Sequence, residues 1–275
     1  MKWPTIKINI ITLWKLCKFF RKYVLGEKVP DRKYKLIRDS FDERDHAYMA
    51  RRYADLPIST NRKNISEFIH RYDQGNAGSC CAFGGVEAFR RVLQVNKMPD
   101  FEPSALFAYY NLRTDKNRDC GGQIRDTFKA MNEFGICAEK TWPYILKMLT
   151  TLPSASSFSE GLEHQSITYE RIYPATKEAI MDAISQGYPI VYGKDLFSSF
   201  ESEFTKISGI VEMPTKCETM IGGHCMVIFD YDELGTVELN SWGAAWGHEG
   251  TAHFPWEYVL TEKWCNDFWV LYKSE

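Results

Sequence analysis

Gln74-Gly75-Asn76-Ala77-Gly78-Ser79-Cys80 is the stretch on which the reading of this sequence turns. Two glycines bend the chain and deliver a cysteine to the head of a helical pattern. Ala82, Phe83, Val86, Phe89 and Val92 recur on one helix face, which predicts a helix from Cys80 to about Val95 with Ser79 as its cap. A helix N-terminus carries partial positive charge and unpaired N–H groups, and both favour the thiolate, the nucleophilic form of cysteine. The upstream Gln74 amide can donate to an oxyanion formed beside the sulfur. A lone cysteine at a helix start is more often buried and inert, so the stretch acquires meaning only with partners elsewhere in the chain.

Two partners stand downstream. Gly222-Gly223-His224 leads into the apolar run Cys225-Met226-Val227-Ile228-Phe229, a histidine opening a predicted strand. A rigid strand start would hold the ring as a general acid–base requires, which favours His224 over the other five histidines. The strand-like Thr236-Val237-Glu238-Leu239 then ends at Asn240, whose side-chain oxygen can accept the ring N–H and fix the tautomer. Trp242 would shield that bond from water. The rival reading of Asn240–Gly247 is a tryptophan-rich turn. His248, Glu249 and His253 are spaced one residue longer than the helical zinc motif, beside Pro255 and two glycines, so no metal is expected. No cofactor is expected either.

The 275 residues can bury a large core, with 44% hydrophobic and 25% charged residues. A formal net charge of -2 gives no ground for a nucleic-acid partner. The 8 cysteines include no CxxC pair, and the expectation is reduced thiols in a cytosol-like compartment. Residues 1–28 place Lys7, Lys15, Lys18 and Lys22 on one side of a helical wheel and Ile6, Ile10, Leu13, Cys17, Phe20 and Val24 on the other. This basic amphipathic pattern fits docking to a membrane surface or a protein assembly, or packing on the protein's own body. Lysines break it too often for a membrane span.

Residues 29–55 form a polar connector with little core of their own, and Ser154–Ser159 is the expected mid-chain loop or linker. Further helices are predicted over Ile124–Phe134, stopping at Gly135, and over Thr176–Ser185. Pro189–Gly193, Cys225–Phe229, Thr236–Asn240 and Phe268–Tyr272 read as strands. Helices first and strands afterwards predict an α+β protein, with a helical lobe over 56–160, a β-rich lobe over 161–275, and the site in the cleft between them.

Together these blocks resemble the papain-like cysteine peptidases of clan CA, over about residues 55–275. Gln74 to Phe83 is similar to the family's Q-G-x-C-G-S-C-W-A-F, while Gly222-Gly223-His224 and Asn240-Ser241-Trp242-Gly243 match its other two blocks. In such enzymes His and Asn follow the cysteine by roughly 130–150 residues; here His224 and Asn240 follow Cys80 by 144 and 160. The resemblance implies a two-lobe fold with a helical left lobe and a β-barrel-like right lobe. It makes Cys80 the nucleophile, His224 the acid–base, Asn240 its orienting residue and Gln74 the oxyanion donor. Gly121 and Gly122 resemble the glycine pair that binds substrate backbone, and Gly223, Trp242 and Trp246 are carried over as substrate-binding. Trp142-Pro143-Tyr144 resembles the family's Tyr-Pro-Tyr, and Pro57 the start of a mature chain.

The implied activity is that of a cysteine endopeptidase working on protein or peptide substrates through a Cys80 thioacyl intermediate. A cell-wall amidase or endopeptidase, or a docking protein on the same fold, are the alternatives. Tyr109-Tyr110-Asn111 and Gly122-Gln123-Ile124-Arg125-Asp126 look like the propeptide-poor bacterial and phage members. Three positions depart from the family pattern: Ala77 replaces a cysteine that pairs across the helical lobe, Cys81 replaces a tryptophan, and Cys225 follows the histidine. The first implies that Cys120 lacks its usual partner. The upstream residues do not show the long helical inhibitory pattern of family propeptides, so self-inhibition by a prodomain is not expected, although residues 29–56 could still cross the cleft.

Overall fold

The computed structural model describes residues 32–50, 56–60, 70–165 and 167–273. The predicted basic helix over residues 1–28 lies outside them. Helix α1 (Cys80–Val95, 16 residues) runs through the protein with 12 of its residues buried. Helices α2 (Ala105–Leu112) and α3 (Ile124–Phe134) cover one side of it and a β-sheet covers the other. Gly84 and Gly85 let α1 approach both neighbours closely. A Cβ on Gly84 would lie 3.0 Å from Cys225 Sγ, and one on Gly85 would lie 2.5 Å from Thr127 Cγ2.

The sheet has six strands: β1 (Ile167–Ile172), β2 (Ile190–Phe197), β3 (Met220–Tyr231), β4 (Gly235–Leu239), β5 (Thr251–Pro255) and β6 (Cys265–Lys273), in the order β1-β6-β2-β3-β4-β5. All neighbours pair antiparallel. Successive strand residues point to opposite faces. Val191, Cys225, Val227, Trp269 and Leu271 therefore join the core around α1. Ile190, Tyr192, Met226, Ile228 and Val270 join a second core on the far face, closed by α5 (Lys177–Ser185) and aromatic residues. Burial on both faces explains why these strands read as unbroken apolar runs. A buried pair, Lys194 and Glu238, sits directly behind the histidine strand, and Thr236 Oγ1 also donates to Glu238 at 2.8 Å. Lys194 lies opposite His224 in the register of β2 and β3.

The helix bounds predicted for α1 and α3 coincide with those observed, and the third helix begins one residue after its cap, Thr176. Three expectations are corrected. Ser154–Ser159 is no linker: Ala155–Leu162 is a helix, α4, because the Ser154 hydroxyl accepts the Ser157 N–H and starts it. Ser79 does not cap α1 through its side chain; its hydroxyl instead meets Tyr144 Oη at 2.6 Å. His224 does not open its strand, since β3 already begins at Met220 and carries both glycines within it. Within residues 32–50, Tyr48 is buried in the second core and Leu36 packs against the first. Helix α2 escaped prediction because it is apolar nearly all round and so shows no amphipathic period. The short helices α6 (Glu203–Ser208) and α7 (Trp256–Val259) and strands β1 and β5 were also unpredicted.

Candidate active site

The loop before Cys80 is stitched to the segment after β4. Asp73 forms an antiparallel bridge with Trp242, the Gly243 N–H donates to the Tyr72 carbonyl (2.7 Å), and the Gln74 N–H donates to the Ser241 carbonyl (2.9 Å). Tyr144 supports the same loop, donating to the Gln74 carbonyl at 3.0 Å. This pairing brings the cysteine at the head of α1 together with the asparagine at the end of β4, and β3 supplies His224 between them.

His224 Nε2 and Asn240 Oδ1 are 2.9 Å apart. An amide oxygen only accepts, so Nε2 carries the proton and Nδ1 holds the lone pair. Nδ1 is buried with no hydrogen-bond partner. It is therefore the nitrogen left to work with the thiol. Trp242 lies beside this bond, its ring centroid 5.2 Å from that of His224. Cys80 and His224 are both 0% exposed and Asn240 is 1% exposed. The Cys80 thiol is pushed well above its ordinary range by a hydrogen bond with Cys81 and by burial, while His224 pulls in the opposite direction. Cys81 is pushed up in turn, chiefly by Cys225. Cys81 and Cys225 are buried beside the nucleophile candidate, and the Cys81 thiol donates to the Gly122 carbonyl at 3.3 Å.

Gln74 is fully buried, and its amide is fixed at both ends. Ser241 Oγ donates to Oε1 at 2.6 Å, and Nε2 donates to the Ala77 carbonyl at 2.7 Å. A primary amide has two N–H groups, so one remains for an oxyanion near Cys80. Ser241 was not singled out in the sequence, although it stands next to Asn240 in the quoted block. Its role depends on pairing with residues far upstream, which no local pattern reveals.

Gly121, Gly122 and Gly223 each lie against residues 35–37 of the same chain. Trp242 lies under Arg32, with 5.2 Å from guanidinium carbon to ring centroid. Trp246 turns away into the second core, packing on Phe200 and Trp242 at centroid distances of 5.1 and 5.3 Å. The described cysteines, Cys120 included, are free thiols. His253 Nε2 meets Asp232 Oδ1 at 3.1 Å, away from Glu249.

Comparison with known proteins shows the family. The family profile described as papain family cysteine protease matches residues 57–259. An uncharacterized peptidase C1-like protein of Acanthamoeba polyphaga mimivirus is 36% identical over 222 residues, which is 75% of this chain and 71% of that protein. Cysteine proteinase 1 of Entamoeba histolytica is 28% identical over 65% of this chain, and the match spans only 57% of its length. Among solved structures, xylellain, a cysteine protease from Xylella fastidiosa, superposes with a TM-score of 0.80 at 27% identity, covering 90% of this chain and 99% of that one. Procathepsin L 3 from Tenebrio molitor shares the fold, with a TM-score of 0.63 at 17% identity over 100% of this chain and 95% of that one. With its nucleophile loop, histidine strand and asparagine turn assembled at one place, the chain belongs to the papain family of cysteine proteases.

Proposed function

We propose that the protein is a cysteine endopeptidase whose reaction is carried by Cys80, His224, Asn240 and Gln74. The 2.9 Å bond between His224 Nε2 and Asn240 Oδ1 is the observation that carries this assignment, because it leaves Nδ1 as the basic nitrogen beside the thiol. His224 takes the thiol proton, and the Cys80 thiolate attacks the peptide carbonyl. The free Gln74 N–H and the Cys80 backbone N–H receive the oxyanion. His224 then gives its proton to the leaving amine, a thioester forms on Cys80, and water activated by His224 hydrolyses it. Asn240 holds the imidazole in the tautomer and orientation that both steps need.

The substrate class is protein or peptide in extended form. In support, the Ile37 and Leu36 N–H groups of this chain already donate to the Gly122 and Gly223 carbonyls (3.0 and 3.2 Å), and Gly223 adjoins His224 in sequence. The free described cysteines favour a reducing compartment. Docking to a membrane or particle through residues 1–28 rests on the sequence pattern alone. The test is labelling by a thiol-reactive epoxide or vinyl sulfone together with cleavage of a peptide library. Label on Cys80 and cleavage lost in Cys80→Ser support the assignment, whereas a folded protein that takes no label refutes it.

A further inference from the structure

Helix α1 has no side-chain cap of its own, so its head depends on how the loop before it is held. The peptide group between Ala77 and Gly78 is fixed at both ends. Its carbonyl accepts from Gln74 Nε2 (2.7 Å), and its N–H donates to Asp119 Oδ1 (3.0 Å). Asp119 lies in the connection between α2 and α3, 41 residues from Gly78 in sequence. Through this one peptide group, a distant carboxylate is linked to the amide placed to receive the oxyanion.

Asp119 is itself firmly presented. Fully buried Tyr109, on α2, donates its hydroxyl to the same Oδ1 and accepts the Gly121 N–H at 3.1 Å. Buried Arg113 donates through Nε to the Tyr109 carbonyl (3.1 Å) and through Nη1 to the carbonyl of Arg118 (2.9 Å), the residue before Asp119. The other oxygen, Oδ2, meets Lys33 Nζ at 2.9 Å and Lys35 Nζ at 3.6 Å. Burial raises the Asp119 carboxyl, yet the bonds from Tyr109, Lys33 and the Gly78 N–H outweigh it and hold the group below its ordinary value, ionised at neutral pH.

A carboxylate that accepts a peptide N–H polarises that peptide and makes its carbonyl oxygen a stronger acceptor. The bond from Gln74 Nε2 to the Ala77 carbonyl therefore gains from Asp119. That bond sets the plane of the Gln74 amide, and with it the direction of the second N–H. Tyr109 carries the same anchor on to the Gly121 N–H, so the loop before Cys80 and the Gly121 turn are fixed by one carboxylate.

We propose that Asp119 is a positioning residue for the oxyanion donor: it fixes the Ala77–Gly78 peptide, and that peptide fixes the Gln74 amide. This rests on the cysteine-protease reading above. Asp119 acts on the step that places charge on oxygen and not on the reactivity of the sulfur.

A peptide aldehyde and iodoacetamide separate those two effects in the full 275-residue chain. The Cys80 sulfur adds to the aldehyde carbon and the C=O π pair moves to oxygen. That oxygen, which takes the thiol proton by way of His224, sits where the oxyanion forms. Iodoacetamide forms an S–C bond and expels iodide, the thiol proton going to His224, with no oxyanion. Alkylation is read at Cys80 by tandem mass spectrometry, and aldehyde affinity by the protection it gives Cys80. Both reagents enter the same site, so the ratio of aldehyde affinity to alkylation rate cancels changes in access. Asp119→Ala is expected to lower this ratio about tenfold, the loss of one hydrogen bond to a charged group. Asp119→Asn keeps an oxygen acceptor and should lose less than about threefold, while Lys33→Ala/Lys35→Ala should leave the ratio unchanged. Tyr109→Phe frees the same carboxylate oxygen without removing it, and serves if Asp119→Ala does not fold; about a threefold loss is expected. In a Gln74→Ala background Asp119→Ala should add nothing. An unchanged ratio in Asp119→Ala and Tyr109→Phe, an equal loss in the lysine variant, or a full loss on top of Gln74→Ala overturns the proposal. A folded wild type whose Cys80 gains no protection from the aldehyde instead removes the protease reading, and the proposal with it.

Discussion

Ser241→Ala tests how the oxyanion donor is held. The serine hydroxyl is the partner of Gln74 Oε1, at 2.6 Å, in a place where Gln74 is fully buried. Deleting it leaves a buried carbonyl-type oxygen unpaired and frees the amide to turn about the one remaining side-chain bond, Nε2 to the Ala77 carbonyl. One net hydrogen bond is worth about 1 kcal/mol, and the unpaired acceptor adds about as much again. Part of this falls on folding and part on orientation in the transition state, so kcat/KM is expected to fall about tenfold. Gln74→Ala removes the donor itself and is expected to lower kcat by about 100-fold or more. Because Ser241 acts only through Gln74, the double variant should be no slower than Gln74→Ala alone. Steady-state kinetics on one peptide substrate give all four corners of the cycle. Multiplicative losses, or a Ser241→Ala effect confined to KM, would refute the reasoning.

Three further outcomes follow from the geometry. Asn240→Ala removes the acceptor of the His224 Nε2–H and is expected to lower kcat by roughly 10- to 100-fold, the range for a hydrogen bond to a group that becomes charged; an unchanged kcat would mean that Asn240 does not position the ring. Lys194→Met strands the fully buried Glu238 carboxylate and should destabilise the fold by about 3–5 kcal/mol in denaturant titration, with Lys194→Met/Glu238→Leu recovering most of it. The Asp39 carboxyl is raised from 3.8 to about 7 by burial and by Asp267, against the pull of Trp269 and Arg125. Folding therefore favours its protonated form, so its stabilising contribution is complete below about pH 4 and is lost as pH rises through about 7. The melting temperature of wild type should fall across that window relative to Asp39→Asn, and parallel pH profiles would show that the group does not titrate there.

Cys80, His224 and Asn240 were legible because each is announced locally: by glycines before a helix face, by a histidine on an apolar run, and by an asparagine closing a strand. Their order then carried the family, which the profile over residues 57–259 establishes. The bounds of α1 and α3 were legible for the same reason, since an amphipathic period with glycine punctuation is a property of consecutive residues. Helix α2 and the capping role of Ser154 were not, because a helix buried all round loses its period and a serine run reads as loop until one hydroxyl is seen accepting an N–H. What only the tertiary structure decided lies between distant segments. Ser241 meets Gln74 only because residues 72–74 pair with residues 241–243. Trp246 enters the second core rather than the groove because Phe200 offers it an apolar partner there. Residues 32–38 read as a charged connector, and nothing in their composition states that two of their N–H groups bond the Gly122 and Gly223 carbonyls. Sequence pattern records which face a residue shows to its own element, whereas this pairing depends on carbonyls supplied by chain more than 80 residues away, at Gly122 and Gly223.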